Sequence, residues 1–534
     1  MLENFKDNVC YYAHNLLFDF LLIFESILLY KINYSWIFIN YNLYEVKIFY
    51  KNKTITLRCS HKLIPFPLNQ FFPTLSKYKK LYFPYEVLSN WDETITCNKF
   101  PLIENKYINK TIKEYIEVYA LNDIKMLNDG LLNFFSSLKN LNIPFTKRNM
   151  SCSSISFNFY LKKFNKINFN LSQDIKDISA QAYFGGKCEV YGNSKDCEKI
   201  LHFDFSGMYL HCMQEELPYD NFYVKEKNLD LNEPGFYYIN VEYKNKFPIL
   251  PIKSDKLYFK EGRVNGWYWY EEINTLLKYS KIIKFELLYG LISTKNDKIL
   301  TEFLNVLNQF KDENSIKKRI GKLLINSFYG RLALSDEMYN IKLVKELNLH
   351  KSYGELNNLF IIKQKILKKT KSNIALAAAI AAKARIKLYE AQMEVLANNG
   401  RLLYSDTDSV FASFDKENLV ENKTLGKHIF FDTLKKDTCI QDAVFISSKT
   451  YALKFYDDTD LIKIKGINIK DVNFHDLKNK FYNNEDKISL SNNQFTKKNL
   501  SLEHFLILKN INLQNYNKRI WLDNKKDTIP LKNI

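Results

Sequence analysis

The sequence predicts a multidomain protein that mixes α/β and α+β architecture, on three observations. At 534 residues the chain exceeds the roughly 250–300 residues at which a single hydrophobic core stops growing. Its 46% hydrophobic and 15% aromatic residues can fill more than one core, which excludes a disordered basic chain. Short β-like runs that end in acids alternate with long helical stretches rich in Lys or Ala.

The elements follow in chain order. The apolar run 16–30 is interrupted by Asp19 and Glu25 and is too short to span a bilayer. Segments 45–50 and 54–57 read as strands and 111–138 as a helix, with the polar stretch 147–154 closing a first part of the chain. The opening MLENFKDN has no basic region leading into an apolar one, so neither a signal nor a transit peptide is expected there. Farther on, 199–205 is a strand ending at an acid, 313–332 a helix, and 372–397 an Ala-rich helix with Ser372 as N-cap and Asn399-Gly400 as its stop. Segment 401–414 reads as strand, acidic turn, strand. No repeat or low-complexity linker interrupts this order.

Seventy-seven Lys and Arg against 59 Asp and Glu give a net charge of +18, which suits nucleic acid or an anionic membrane surface. The eight cysteines form no CxxC pair, so zinc and redox sites have no support and reduced thiols are expected. Abundant Phe, Tyr, Lys, Asn and Ile beside only 15 Gly and 11 Pro match AT-rich coding DNA, as in an organelle, plasmid or virus genome.

The chemistry concentrates at Tyr404-Ser405-Asp406-Thr407-Asp408-Ser409, where a tight turn between two strands would expose two crowded carboxylates that need a cation. A second acid, Asp204, ends another strand in Asp204-Phe205-Ser206-Gly207-Met208-Tyr209. If those strands are neighbours, Asp204 and Asp408 can hold two Mg²⁺ ions, with Mn²⁺ as a substitute, for in-line phosphoryl transfer. On the helix that lies between them in the sequence, Lys318, Lys322, Asn326 and Tyr329 fall on one face. Lys322 can meet a phosphate and Tyr329 a base pair, although a Lys stripe is as often only a solvated face.

These segments resemble motifs A, B and C of family B DNA polymerases, in that family's order. The B segment includes Ser327 and Gly330; Lys449-Thr450-Tyr451 resembles the KxY element, with Lys465-Gly466 beyond it, and Tyr183-Phe184-Gly185-Gly186 the YxGG element. Motif A departs from the family pattern at Gly207, Met208 and Leu210 but keeps Asp204 and Tyr209. The N-terminal part resembles the family's RNase H-like exonuclease: Asn15 to Asp19 looks like its second motif and Tyr119 to Asp123 its third, while the first has no room before Asn15.

The resemblance is closest to protein-primed polymerases of phages, linear plasmids and mitochondrial plasmids. It implies a truncated exonuclease-like domain at 1–150, palm and fingers at 151–466 with a priming-type insertion near 335–370, and a thumb-like region at 467–534. It implies a DNA-directed DNA polymerase that takes primer-template DNA and dNTP, with a terminal protein as a further partner, no membrane, and a monomer. Asp204, Asp408 and Asp406 would be catalytic; Tyr209, Lys318, Lys322, Asn326 and Tyr329 would bind nucleotide; Tyr183, Gly185, Gly186, Ser327, Gly330, Lys449 and Tyr451 would bind DNA. Exonuclease activity would be weak or absent, since Asn15, Asp19, Tyr119 and Asp123 supply only two carboxylates. Mitochondrion is the expected compartment, with cytoplasm the alternative. Two other readings stay open: a non-catalytic nucleic-acid-binding relic, and a reverse transcriptase.

Overall fold

The structure, a computed structural model, describes residues 2–88, 92–146, 148–194, 198–309, 316–347, 351–356, 358–367, 370–415, 431–433, 440–465, 472–485, 487–496, 500, 503–514, 516–522 and 525–532. Expected helix residues 313–315 and Gly466 lie outside them. Among the described residues no helix is long and apolar enough to cross a membrane.

The N-terminal sheet has the order Cys10–Ala13, Lys53–Cys59, Asn42–Tyr50, Asn33–Ile39, then Glu337–Val344, Leu359–Leu367 and Ser352–Leu356 from far along the chain. The helix Leu16–Leu29 turns Leu16, Phe20, Phe24 and Ile27 inward at spacings of three and four and so covers this sheet with an apolar stripe. Ile341, Leu356 and Ile361 complete the same core. The expected priming-type insertion near 335–370 thus contributes strands built into the N-terminal sheet. Asn40 N–H donates to the Tyr339 carbonyl and Tyr339 N–H to Asn40 Oδ1, each at 2.9 Å. The helix Ile112–Asn140 starts at Thr111, which forms a capping box with Glu114.

A second large sheet carries the acids. Its order is Asp460–Lys463, Thr450–Phe455, Ile440–Ser447, Glu198–Phe205, Ser409–Asp415, Arg401–Asp406 and Cys188–Val190, with Phe431–Thr433 also paired to Glu198–Phe205. The helix Ile374–Ala397 packs behind it, and Ala375, Ala378, Ala379 and Ala382 let it approach Trp267 and Trp269 closely. Its N-cap is Asn373, whose side chain accepts from Leu376 N–H, rather than the expected Ser372, whose hydroxyl lies 3.2 Å from that of Thr370. Ile316–Leu332 crosses the front of this region and packs on Cys152–Lys163. Beyond it, Lys487–Thr496 pairs with Glu503–Asn512 and Arg519–Trp521 with Thr528–Pro530. Leu500, between the first two, is buried in the N-terminal core.

Candidate active site

Asp204 sits opposite Ser409 in the antiparallel register of Glu198–Phe205 with Ser409–Asp415. Phe205 N–H donates to the Asp408 carbonyl at 2.8 Å, so Asp204 and Asp408 leave adjacent strands side by side. Burial, then the neighbouring charge of Asp204, pushes the Asp408 carboxyl above its ordinary pKa, with Asp406 adding and Lys322 opposing. Two carboxylates that repel each other in a half-dry setting are an environment in which a divalent cation is favourable. Among the described residues no group of three or more His, Cys, Asp or Glu side chains could hold a metal. Mg²⁺ in nucleotide enzymes needs only one or two carboxylates, completed by substrate phosphates and water, and the Asp204/Asp408 pair fits that donor set.

The turn between the acids is strained. Thr407 has φ 57°, a left-handed conformation that is rare for a β-branched residue. Its N–H donates to the Lys187 carbonyl at 2.8 Å, and a Cβ on Gly186 would come within 2.8 Å of the Thr407 methyl group, so only glycine admits the turn so closely. Asp406 faces Lys449, whose Nζ donates at 2.7 and 3.0 Å to the two carboxylate oxygens. Tyr451 is buried with its ring against Tyr404, Phe411 and Phe445, which leaves Lys449 as the exposed member of the Lys449-Thr450-Tyr451 element.

On Ile316–Leu332, Lys322 and Asn326 are exposed and Lys318 and Tyr329 half-buried, while Ile320, Leu324 and Phe328 turn inward. The Tyr329 ring lies 4.5 Å from that of Tyr209, and burial raises the hydroxyl pKa of both. Tyr209 belongs to the short helix Met208–Met213, entered through Gly207 at φ 77°. This left-handed entry accounts for glycine at a position where the family pattern has Ser.

Sequence reading missed Arg385. It is buried in the Ala-rich helix, pairs in bidentate fashion with Glu272 at 2.7 and 2.9 Å, and donates to the Phe184 and Gly185 carbonyls at 2.7 and 3.3 Å. It thereby fixes the Tyr183-to-Gly186 segment behind Thr407. Three cations, Lys383, Arg385 and Lys387, follow its Ala-rich first half, and nothing in the sequence alone marks Arg385 as the one that is fully buried and paired with Glu272. A cleft of about 710 Å³ was also not foreseen; Lys62, Arg148, Arg331, Ser327 and Gly330 help line it, and among the described residues no carboxylate does. It runs between the N-terminal sheet and the outer side of Ile316–Leu332 and suits a polyanion.

In the N-terminal part, Asn15 has φ 69° and precedes Leu16–Leu29, with Asp19 exposed in the first turn. Asp123, on Ile112–Asn140, is paired with Lys80, whose ammonium also bonds the Tyr119 hydroxyl. Burial, then the Asp123 charge, raises the Tyr119 pKa.

The family described as DNA polymerase type B, organellar and viral, matches residues 3–409. A probable DNA polymerase of Podospora anserina is 23% identical over 516 residues, covering 83% of this chain and 42% of the relative. A probable DNA polymerase of Agaricus bitorquis is 25% identical over 389 residues, covering 64% and 47%. The chain thus spans less than half the length of these relatives. Among solved structures, Phi29 DNA polymerase complexed with primer-template DNA superposes with TM-score 0.69 at 18% identity, covering 94% of this chain and 91% of that one. The same polymerase with primer-template and incoming nucleotides gives 0.66 at 19%, covering 95% and 91%. At such identity the likeness establishes the exonuclease, palm, fingers and thumb fold.

Proposed function

We propose that this chain, which belongs to the organellar and viral type B DNA polymerase family, extends a 3′-hydroxyl with deoxynucleotides on a DNA template. The observation that carries this reading is the side-by-side placement of Asp204 and Asp408, with the Lys322 charge close enough to oppose the rise in the Asp408 pKa. The acids would hold two Mg²⁺ ions, which when bound supply charge neutralisation and polarise the attacking and leaving oxygens. Lys322 brings a positive charge to the triphosphate and Lys318 extends the basic face. Asn326 can hydrogen-bond the nucleotide, and the Tyr209–Tyr329 pair offers an aromatic wall to its sugar and base. Lys449, paired with Asp406, would meet the DNA backbone, and the cleft lined by Lys62, Arg148 and Arg331 would offer a single-stranded template a path between the N-terminal part and the fingers.

Protein priming is the finer part of the proposal. Phi29 DNA polymerase supports it by likeness of fold, and Glu337–Val344, Ser352–Leu356 and Leu359–Leu367, paired into the N-terminal sheet, lie in the region where the resemblance places a priming insertion. The domain division at 150 and 466, the monomeric state and a mitochondrial setting belong to this proposal as well; the organellar and viral family description supports the setting.

Purified protein given an annealed primer-template and Mg²⁺ should add dNTPs on DNA. Extension on an RNA template alone would favour the reverse transcriptase reading, and DNA binding with no incorporation under any metal would favour the relic. Transfer of a labelled dNMP to a protein hydroxyl, in the presence of a terminal protein, tests the priming step separately.

A further inference from the structure

Cys188–Val190 is the edge strand of the acid-bearing sheet, and its far side is covered by residues 516–522 and 525–528. Val190 N–H donates to the Tyr516 hydroxyl at 2.9 Å, Lys518 Nζ to the Cys188 carbonyl at 3.2 Å, and the Thr528 hydroxyl to the Val190 and Tyr191 carbonyls at 2.9 and 3.1 Å. On its other side the same strand pairs with Arg401–Asp406, and the carbonyl of Lys187, just before it, holds strained Thr407. The edge strand is therefore clamped between the acidic turn and this segment.

At the centre of the clamp lies a buried trio of charges. Arg519 and Glu189 are 0% exposed and Lys187 2%. Arg519 Nη1 is 3.8 Å and Lys187 Nζ 3.6 Å from the same Glu189 oxygen, and neither carboxylate oxygen has a hydrogen-bond partner among the described residues. Arg519 is held by Nε to the Thr528 hydroxyl at 2.8 Å and Nη2 to the Lys246 carbonyl at 3.0 Å, and Lys187 Nζ donates to the Pro248 carbonyl at 2.6 Å. The guanidinium also lies 5.1 Å from the centre of the Tyr191 ring, whose hydroxyl is 3.1 Å from that of Ser405, one residue before the acidic turn. Burying three charges that meet only at this range costs desolvation that an apolar trio would avoid, so net stability does not account for them. What charges at fixed points add is a register, and a strained turn persists only where its surroundings over-determine it.

We infer that Arg519 is a positioning residue: with Glu189 and Lys187 it locks residues 516–522 and 525–528 against the edge strand and so fixes the depth and orientation of the Asp406–Ser409 turn. The segment then works as part of the palm rather than of a thumb. This rests on the polymerase reading for its catalytic consequence but not for its structural one, and the test separates the two. Arg519→Met and the milder Thr528→Val are compared with the unaltered full chain by amide hydrogen exchange and by primer extension. Exchange across 404–409 should quicken by about fivefold or more, while that of Leu16–Leu29 stays unchanged. The kcat should fall by about 10- to 100-fold with the KM for dNTP and the Kd for primer-template within about twofold, because a small misplacement acts on the chemical step. Arg519→Lys should recover part of that loss. Unchanged exchange at 404–409 in either folded variant overturns the inference whatever the activity, and so does global unfolding of Thr528→Val, which would make the segment a general stabiliser. Quickened exchange in a chain whose unaltered form incorporates no dNTP would sink the polymerase reading alone.

Discussion

Phe205 N–H donates to the carbonyl of Asp408 at 2.8 Å, and that backbone bond sets two carboxylates from distant parts of the sequence beside one another. Burial, and then the Asp204 charge at its side, raises the Asp408 pKa. A carboxyl that titrates higher in the fold than in the unfolded chain lowers stability as pH rises through the interval from the unfolded to the folded value. At neutral pH, Asp408→Asn should therefore melt at the same or a higher temperature than the parent, while dNTP incorporation falls by about 10³-fold. Added Mg²⁺ should raise the melting temperature of the parent but not of the variant. Normal turnover by Asp408→Asn would remove the metal assignment.

Lys322 is exposed on its helix yet close enough to act on Asp408. A cation that meets phosphate in both ground and transition states affects both kinetic constants. Lys322→Ala should raise the KM for dNTP and lower kcat, together costing about 10²-fold in kcat/KM. Steady-state kinetics with both constants unchanged would leave the lysine a solvated surface residue.

Tyr209 and Tyr329 meet at 4.5 Å, so shortening Tyr209 opens space against the neighbouring ring instead of being filled by backbone. Tyr209→Val should admit ribonucleotides, lowering the preference for dNTP over rNTP by about 10-fold or more. An unchanged preference, measured in competition, would mean that the ring does not face the sugar.

Lys449 is bound to Asp406 at 2.7 Å but is more than half exposed. Burial lowers its pKa, and the Asp406 hydrogen bond and charge outweigh this to leave it raised, so it stays charged at neutral pH. Lys449→Ala should weaken primer-template binding and reduce the slope of log K against log salt by about one. Asp406→Asn should instead leave that slope unchanged. A Lys449→Ala titration with the parental slope would place the lysine away from phosphate.

Asp123 is already neutralised by Lys80, and Asp19 lies exposed on a different helix. Removal of a mismatched 3′ nucleotide by this 534-residue chain should therefore be slow, and Asp19→Ala should change it by less than about twofold. Rapid Mg²⁺-dependent trimming that disappears in Asp19→Ala would reverse this expectation.

The sequence by itself determined the local chemistry. The KxxxNSxYG spacing on a helix and the acidic turn between β-formers depend on residues within a few positions of each other, and helical or strand periodicity reads such patterns directly. The long helix beginning at Thr111 was legible for the same reason, its capping box being a local signature. Tertiary structure decided what depends on distant pairings. Glu337–Val344, Ser352–Leu356 and Leu359–Leu367 are short strands whose apolar positions, Ile341, Leu356 and Ile361, reveal nothing of their partner until they meet the core under Leu16–Leu29. Lys80 with Asp123, Arg385 with Glu272, and Arg519 with Glu189 are likewise ion pairs between residues 43, 113 and 330 positions apart. A charge on a strand or helix reads as surface in the sequence; only the folded chain, by removing water and bringing its counter-charge within reach, makes it a buried clamp.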